Sequence, residues 1–157
     1  MKIKGLVEED FLQYKKPSMF IIFPRCDFKC CKEAGCEICQ NLSVAKEPDI
    51  DVSPQTIVNK YMSNPITKAI VMGGLEPIDT YGDLVDLVRA FRLQTEDDIV
   101  IYTGYEWKEI DDELACLAQF KNIIVKVGRF IPDQKPHYDE VLGVNLASDN
   151  QYAERIS

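Results

Sequence analysis

The sequence has no run of about 18 uncharged apolar residues, the length that a membrane-spanning helix needs. Its first residues, MKIKGLVEEDF, are already acidic and lack the apolar core of a secretory signal. These two absences predict a cytoplasmic protein with no membrane partner.

Basic residues are also scarce. The chain has 18 Lys and Arg against 26 Asp and Glu, and its net charge is −8. Nonspecific binding of nucleic acid depends on Lys and Arg that neutralise phosphates, so this balance argues against a nucleic-acid partner. It favours a protein or a small molecule instead.

Histidine and tryptophan occur once each, as His137 and Trp107. Neither belongs to a group of residues with catalytic spacing, so we expect both to be structural or surface side chains. The sequence contains no Ser/His/Asp arrangement, no phosphate-binding P-loop and no paired acid motif. This removes several common hydrolase and nucleotide-binding classes.

What remains is the composition of a globular protein, with 46% hydrophobic and 28% charged residues. A length of 157 residues suits one compact domain, so we expect a single domain over residues 1–157. The acidic stretch 47–51 is the only plausible linker.

Apolar runs and helical patterns alternate along the chain. Short runs rich in β-forming residues predict strands at 18–23, 67–72, 98–102 and 122–127. Helical patterns lie at 53–62, 81–93 and 106–120. Strands separated by helices indicate βαβ units and therefore an α/β fold with a mainly parallel sheet.

Three unusual loops follow the first three of these strands. They are the cysteine-rich loop after residue 23, MGGLEP at 72–77 and YTGYE at 102–106. Ligands of parallel sheets gather at the carboxyl ends of the strands, so the three loops are expected to share one edge of the sheet. Their convergence predicts a binding site there.

Five of the six cysteines lie in the first loop, as Cys26, Cys30, Cys31, Cys36 and Cys39. The reducing cytosol makes metal ligation more plausible than disulfides. Structural zinc uses two well-separated cysteine pairs, but here Cys30 and Cys36 are too close for that pattern. An iron–sulfur cluster fits the crowded thiols best, while structural zinc and unrelated thiols stay as alternatives.

Cys26-x3-Cys30 with a later cysteine, followed by GGLEP, resembles the radical S-adenosylmethionine enzymes. Within them the chain is most similar to the activating proteins of anaerobic ribonucleoside-triphosphate reductases. The resemblance covers most of residues 8–151 and includes EDFLQYKKPSMFIIFPRC, CQN, IYTGYEWKEI, VKVGRF and SDNQ. It implies an incomplete βα barrel with a mainly parallel sheet.

The resemblance also implies cluster ligands. The usual spacing of that family is C-x3-C-x2-C, but Glu33 occupies the place of its third cysteine. An inserted loop then gives Cys26, Cys30 and Cys39 as ligands of a [4Fe-4S] cluster. We prefer Cys39 to Cys36 because Ile38 then supplies the apolar residue that precedes the third cysteine, and the choice between them stays open.

Other implied site residues bind S-adenosylmethionine. They are Ile38 in the cysteine loop, and Gly73, Gly74 and Glu76 in MGGLEP. The two glycines allow close approach of the backbone, and Glu76 is the expected acceptor of the cofactor's ammonium group.

By resemblance, the chain is a radical S-adenosylmethionine oxidoreductase. Its reduced cluster cleaves the cofactor reductively, and the product radical abstracts hydrogen from a glycine in the C-terminal loop of the large reductase subunit. A flavodoxin or ferredoxin would supply electrons. Two alternatives remain open: a structural zinc module, and a radical enzyme with another substrate.

Overall fold

The computed structural model describes residues 1–157. Its strands are β1 (Lys2–Ile3), β2 (Gly5–Asp10), β3 (Ser18–Phe23), β4 (Ile50–Asp51), β5 (Ala69–Gly74), β6 (Asp98–Tyr102), β7 (Ile123–Val127), β8 (His137–Asp139), β9 (Val144–Leu146) and β10 (Tyr152–Arg155). Its α-helices are α1 (Lys29–Ala34), α2 (Leu42–Lys46), α3 (Pro54–Ser63), α4 (Tyr81–Arg92) and α5 (Asp111–Leu117), and 3₁₀ helices cover Pro77–Thr80 and Trp107–Glu109. None of the helices is long and apolar enough to cross a lipid bilayer.

Six strands form the central sheet in the order β10-β7-β6-β5-β3-β2. The four inner strands, β3, β5, β6 and β7, are parallel, while β2 and β10 pair antiparallel at the two edges. The predicted mixed α/β class and the mainly parallel sheet are confirmed. The sheet is open, and no closed barrel forms.

Local sequence explains the two longest helices. Helix α3 begins after Ser53, whose hydroxyl accepts the backbone N–H of Thr56, and Pro54 occupies its first turn. In α4 the predicted stripe of Leu84, Leu87, Val88 and Phe91 is fully buried, because residues at this spacing share one helix face. This stripe packs α4 against the sheet.

The two faces of the sheet are covered differently. Alternate strand residues such as Ile21, Met72 and Ile101 join α3, α4 and α5 in the larger apolar core. On the opposite face, Val71 and Val100 pack against Tyr14, Leu142 and Leu146, which come from connecting segments or from β9. We call this second side the loop-covered face.

Asp98, at the start of β6, anchors one of those covering segments. Its carboxylate accepts hydrogen bonds from Tyr14 Oη at 2.9 Å and Lys16 Nζ at 2.6 Å. Arg155 of β10 donates to its other oxygen at 2.9 Å. Burial raises the pKa of Asp98, but these three hydrogen bonds outweigh it and lower the pKa to about 2.

Several sequence-based boundaries need correction. The predicted helix 106–120 is a 3₁₀ turn followed by the shorter α5, since Glu109 accepts the backbone N–H of Glu106 and closes a separate turn. The supposed linker 47–51 contains β4, which pairs with β1. The cysteine loop contains α1 and α2. The sequence did not predict the six other strands, which are β1, β2, β4, β8, β9 and β10.

Candidate iron–sulfur site

A cavity of about 400 Å³ opens at the carboxyl ends of the parallel strands, on the loop-covered face. The three loops that the sequence predicted to share one edge all line it. The fourth loop, which follows β7, and the segment 145–147 complete the wall. The convergence follows from the parallel topology, which brings successive strand ends to the same side.

Three of the five clustered cysteines line this cavity: Cys26, Cys30 and Cys39. Cys31 and Cys36 are not among its lining residues, and Cys36 is exposed. All six cysteines are free thiols. The loop reaches this shape through two left-handed residues, Phe28 before α1 and Gly35 after it.

Two of the three cavity thiols accept backbone hydrogen bonds. Phe28 N–H donates to Cys26 Sγ at 3.3 Å, and Asn41 N–H donates to Cys39 Sγ at 3.4 Å. Hydrogen bonds of this kind stabilise thiolate sulfur and tune the potential of iron–sulfur clusters. The donor set therefore fits a cluster held by thiolates.

Burial and nearby negative groups raise the pKa of two of the cavity thiols. Burial, with smaller contributions from Glu76 and Asp79, raises the pKa of Cys26 to about 11. Burial together with Cys39 and Cys31 raises the pKa of Cys30 to about 12. Negative groups that raise the pKa of Cys26 and Cys30 must lie close to them, which is the arrangement that a shared cationic ligand would neutralise.

The glycines of MGGLEP are required by packing. Gly74 has φ +90°, and a Cβ there would lie 2.4 Å from Ile22 Cγ2. A Cβ on Gly73 would lie 3.1 Å from Tyr102 Cβ. Gly74 lines the cavity, whereas Gly73 and the half-buried Ile38 are not among its lining residues.

Glu76 lines the cavity and is only 4% exposed. Its carboxylate accepts the backbone N–H of Gly104 at 2.8 Å and that of Ile78 at 3.1 Å. Burial raises its pKa to about 7, although hydrogen bonds from Gly104, Thr103 and Ile78 oppose the shift. Glu76 thus joins the MGGLEP loop to the YTGYE loop.

Asp27 and Asp79 are two polar residues beside the cysteines that the sequence did not indicate as site residues. Asp79 accepts the backbone N–H of Asp27 at 2.8 Å and the hydroxyl of Tyr105 at 2.7 Å. The carboxylates of Asp27 and Asp79 and the thiol of Cys26 lie within 4.8 Å of one another. Lys29 Nζ lies 4.0 Å from the centre of the Tyr105 ring, a cation–π contact.

Arg129, just beyond β7, was missed as well. Its guanidinium pairs with Glu33 of α1 at 3.1 Å and with Glu109 at 2.6 Å. In the sequence, the GRF of VKVGRF contributes only to the family resemblance. Because Glu33 lies far away in sequence, no local sequence pattern predicts its contact with Arg129.

An open α/β sheet with clustered thiols at its carboxyl edge fits an iron–sulfur protein. The family described as a 4Fe-4S single cluster domain matches residues 18–151, and the chain belongs to that family. The match includes the whole cysteine loop and all four parallel strands. Comparison with curated proteins and with solved structures gave no significant match.

Proposed function

We propose that the chain is a radical S-adenosylmethionine enzyme that installs a glycyl radical on an anaerobic ribonucleoside-triphosphate reductase. One observation carries the proposal: three thiols, and no more than three, line a cavity that also contains Gly74 and Glu76. A structural zinc site closes its coordination with four ligands. Three thiolates leave one position of a [4Fe-4S] cluster free for a small molecule.

In this proposal Cys26, Cys30 and Cys39 hold the cluster, and Gly74 and Glu76 line the place of S-adenosylmethionine. When bound, the cluster supplies the electron that cleaves S-adenosylmethionine reductively. The chain's own residues position and enclose these groups. Backbone N–H groups of Phe28 and Asn41 orient two of the sulfurs.

Other contacts keep the loops around the cavity together. Glu76 bonds the MGGLEP loop to Gly104, and Asp79, in the 3₁₀ helix that follows this loop, bonds to both Asp27 and Tyr105. Arg129 ties α1 to the turn that contains Glu109. These contacts hold the segments around the cavity together without covalent links.

A glycine-bearing C-terminal loop of the large reductase subunit is the proposed substrate. Helices α3, α4 and α5 all cover the same face of the sheet, which supports an incomplete barrel whose inner side is the loop-covered face. A polypeptide loop would enter from the exposed side near Asn145, which lines the cavity. A flavodoxin or ferredoxin in the cytoplasm is the proposed electron donor, and one compact domain of 1–157 carries the activity.

The proposal is tested with anaerobically purified protein that has been reconstituted with iron and sulfide. Dithionite reduction should give an iron electron paramagnetic resonance signal that S-adenosylmethionine alters, and 5′-deoxyadenosine should form. Cys36→Ser is the matched control, because Cys36 is exposed and outside the cavity lining. One tightly bound zinc per chain with no iron uptake would replace the proposal with a structural zinc module.

A cluster that forms without 5′-deoxyadenosine production would restrict the chain to electron transfer. Production of 5′-deoxyadenosine without radical transfer to the reductase subunit would instead indicate another substrate. Incubation with the purified large subunit, followed by detection of the glycyl radical signal, separates these cases.

A further inference from the structure

Two carboxylates lie beside Cys26, one of the proposed cluster ligands. One oxygen of Asp27, one oxygen of Asp79 and the sulfur of Cys26 all lie within 4.8 Å of one another. Asp27 directly follows Cys26 in the chain, whereas Asp79 belongs to the 3₁₀ helix Pro77–Thr80. Tertiary folding therefore brings a second negative group to this sulfur.

Neither of these carboxylates forms an ion pair with a Lys or Arg side chain. Other carboxylates around the cysteine loop do so: Asp49, Glu33 and Glu109 each have a Lys or Arg nitrogen within 3.1 Å. The charges of Asp27 and Asp79 are not cancelled in this way. They therefore act on the group that Cys26 binds.

Neutral donors hold Asp79 in its position. Its two oxygens accept the backbone N–H of Asp27 at 2.8 Å and the hydroxyl of Tyr105 at 2.7 Å. The ammonium of Lys29 lies over the Tyr105 ring and 3.7 Å from Glu109, and it forms no ion pair with Asp79. Bonds from neutral groups orient the carboxylate and leave its charge in place. Asp79 is also half-buried, so solvent screens this charge less than at an exposed site.

The balance of charges and donors at Cys26 affects how easily a cluster there is reduced. Reduction of a [4Fe-4S] cluster adds one electron and therefore one negative charge. Negative groups near the ligand sulfurs oppose this gain, whereas N–H donors to sulfur favour it. Cys26 accepts one such donor, the N–H of Phe28, and has two carboxylates beside it. This balance favours a low reduction potential.

We propose that Asp27 and Asp79 lower the reduction potential of the cluster and so make the reduced cluster a stronger electron donor. Both residues act on the cluster through their charge, without binding it. The inference rests on the cluster ligands of the proposed function, Cys26 among them, and is independent of S-adenosylmethionine and of the reductase. A cluster that forms without producing 5′-deoxyadenosine would contradict the proposed function, and its potential would still be measurable.

The test is a redox titration of the reconstituted protein with dithionite, in the absence of S-adenosylmethionine, followed by the electron paramagnetic resonance signal of the reduced cluster. Asp79→Asn removes the charge and preserves the shape. Its amide oxygen is able to accept the Asp27 N–H, and its amide nitrogen to donate to the Tyr105 oxygen. At a fixed potential we expect the ratio of reduced to oxidised cluster to rise about tenfold, which equals about 59 mV for one electron.

Two further variants separate the charge of Asp79 from its position. Asp79→Glu keeps the charge and should restore most of the wild-type ratio. Asp86→Asn removes the same charge from the exposed side of α4, where Asp86 pairs with Arg89, and should leave the ratio unchanged. It controls for the change in net charge of the whole protein.

The proposal is overturned if Asp79→Asn leaves the ratio unchanged or lowers it. An equal rise in Asp79→Glu would overturn it too, because position and not charge would then set the potential. An equal rise in Asp86→Asn would likewise exclude a local effect. Wild-type protein that takes up no iron would overturn the inference together with the proposed ligands.

Other measurements decide if Asp79→Asn fails to fold or to take up iron. Asp27→Asn is then judged by the same criterion, since its amide oxygen is able to accept the Lys29 N–H that Asp27 binds now. If neither variant forms a cluster, the infrared difference spectrum between oxidised and reduced wild type decides. We expect a carboxylate band that shifts when aspartate is labelled with ¹³C, and its absence would overturn the proposal.

Discussion

The side chain of Asn41 donates a hydrogen bond of 2.6 Å to the carbonyl oxygen of Gly74. This bond joins the end of the cysteine loop to the glycine loop, 33 residues apart in sequence. The backbone N–H of Asn41 also donates to Cys39 Sγ. One residue therefore holds both a cavity thiol and the neighbouring loop.

We expect Asn41→Ala to loosen the cysteine loop. Loss of the side-chain bond should cost about 1 kcal/mol of the free energy of unfolding, and should shorten the lifetime of the reconstituted cluster severalfold. Urea denaturation and the decay of cluster absorbance in air measure the two effects. Asn59→Ala is the control, because Asn59 bonds only to Gln55 on the exposed side of α3. Equal cluster lifetimes in both variants would show that the Asn41 bond does not hold the loop.

Serine substitutions of the five clustered cysteines should fall into two groups. Cys26→Ser, Cys30→Ser and Cys39→Ser should each lose most of the iron and the cluster absorbance, because these thiols line the cavity. Cys31→Ser and Cys36→Ser should keep wild-type iron content. Iron and sulfide assays after anaerobic reconstitution decide between Cys36 and Cys39. Retention of the cluster in Cys39→Ser with its loss in Cys36→Ser would reverse our choice.

Gly74→Ala should destabilise the protein by about 2 kcal/mol or more. A left-handed residue with a side chain is strained, and the new Cβ would lie 3.0 Å from Ile22 Cα, a backbone atom that cannot rotate away. Gly82→Ala is the matched control, since a Cβ at Gly82 in α4 meets no atom within 4 Å. We expect Gly82→Ala to raise stability by about 0.5–1 kcal/mol. Thermal and urea unfolding compare the two, and equal stability would contradict the strain at Gly74.

Asp98 should make stability depend on pH in acid. Its pKa of about 2 in the folded protein lies below the ordinary value of 3.8, so its contribution is present above pH 3.8 and is lost as pH falls through 2. Asp98→Asn should cost about 2 kcal/mol at pH 7, and the difference from wild type should shrink as pH falls from 5 to 2. Asp86→Asn, at an exposed pair with Arg89, should change little. A difference for Asp98→Asn that is independent of pH would exclude the charged hydrogen bonds as its cause.

Features that depend on local periodicity were readable from the sequence. The four core strands and the stripe of α4 were predicted because strand and helix periodicities are short-range patterns. The shared edge of the three loops followed from parallel topology. The edge strands β2 and β10 carry mixed polar sequences, GLVEED and YAER, whose pairing depends on tertiary contacts.

The finer structure of the site was not readable in this way. Arg129 and Glu33 form an ion pair only because α1 packs near the end of β7. No local sequence pattern predicts an ion pair between residues so far apart in the chain. Lys126 lies in an apolar run that predicts a strand. The run does not indicate what the one polar side chain in it contacts. Glu76 was expected to face the cofactor, and only the structure reveals that backbone donors of two loops already bind its carboxylate.

Helices α3, α4 and α5 all pack on one side of the sheet, so the two sides differ in their tolerance of change. On the helical side, shortening a buried side chain such as Leu87 or Phe91 costs about 2–5 kcal/mol, so selection removes most variants. The other side is closed by connecting segments, where insertions and substitutions alter the cavity while the main core stays intact. We therefore expect natural and laboratory variants that bind new ligands to differ mainly in those connecting segments. The residues on the helical side should change little.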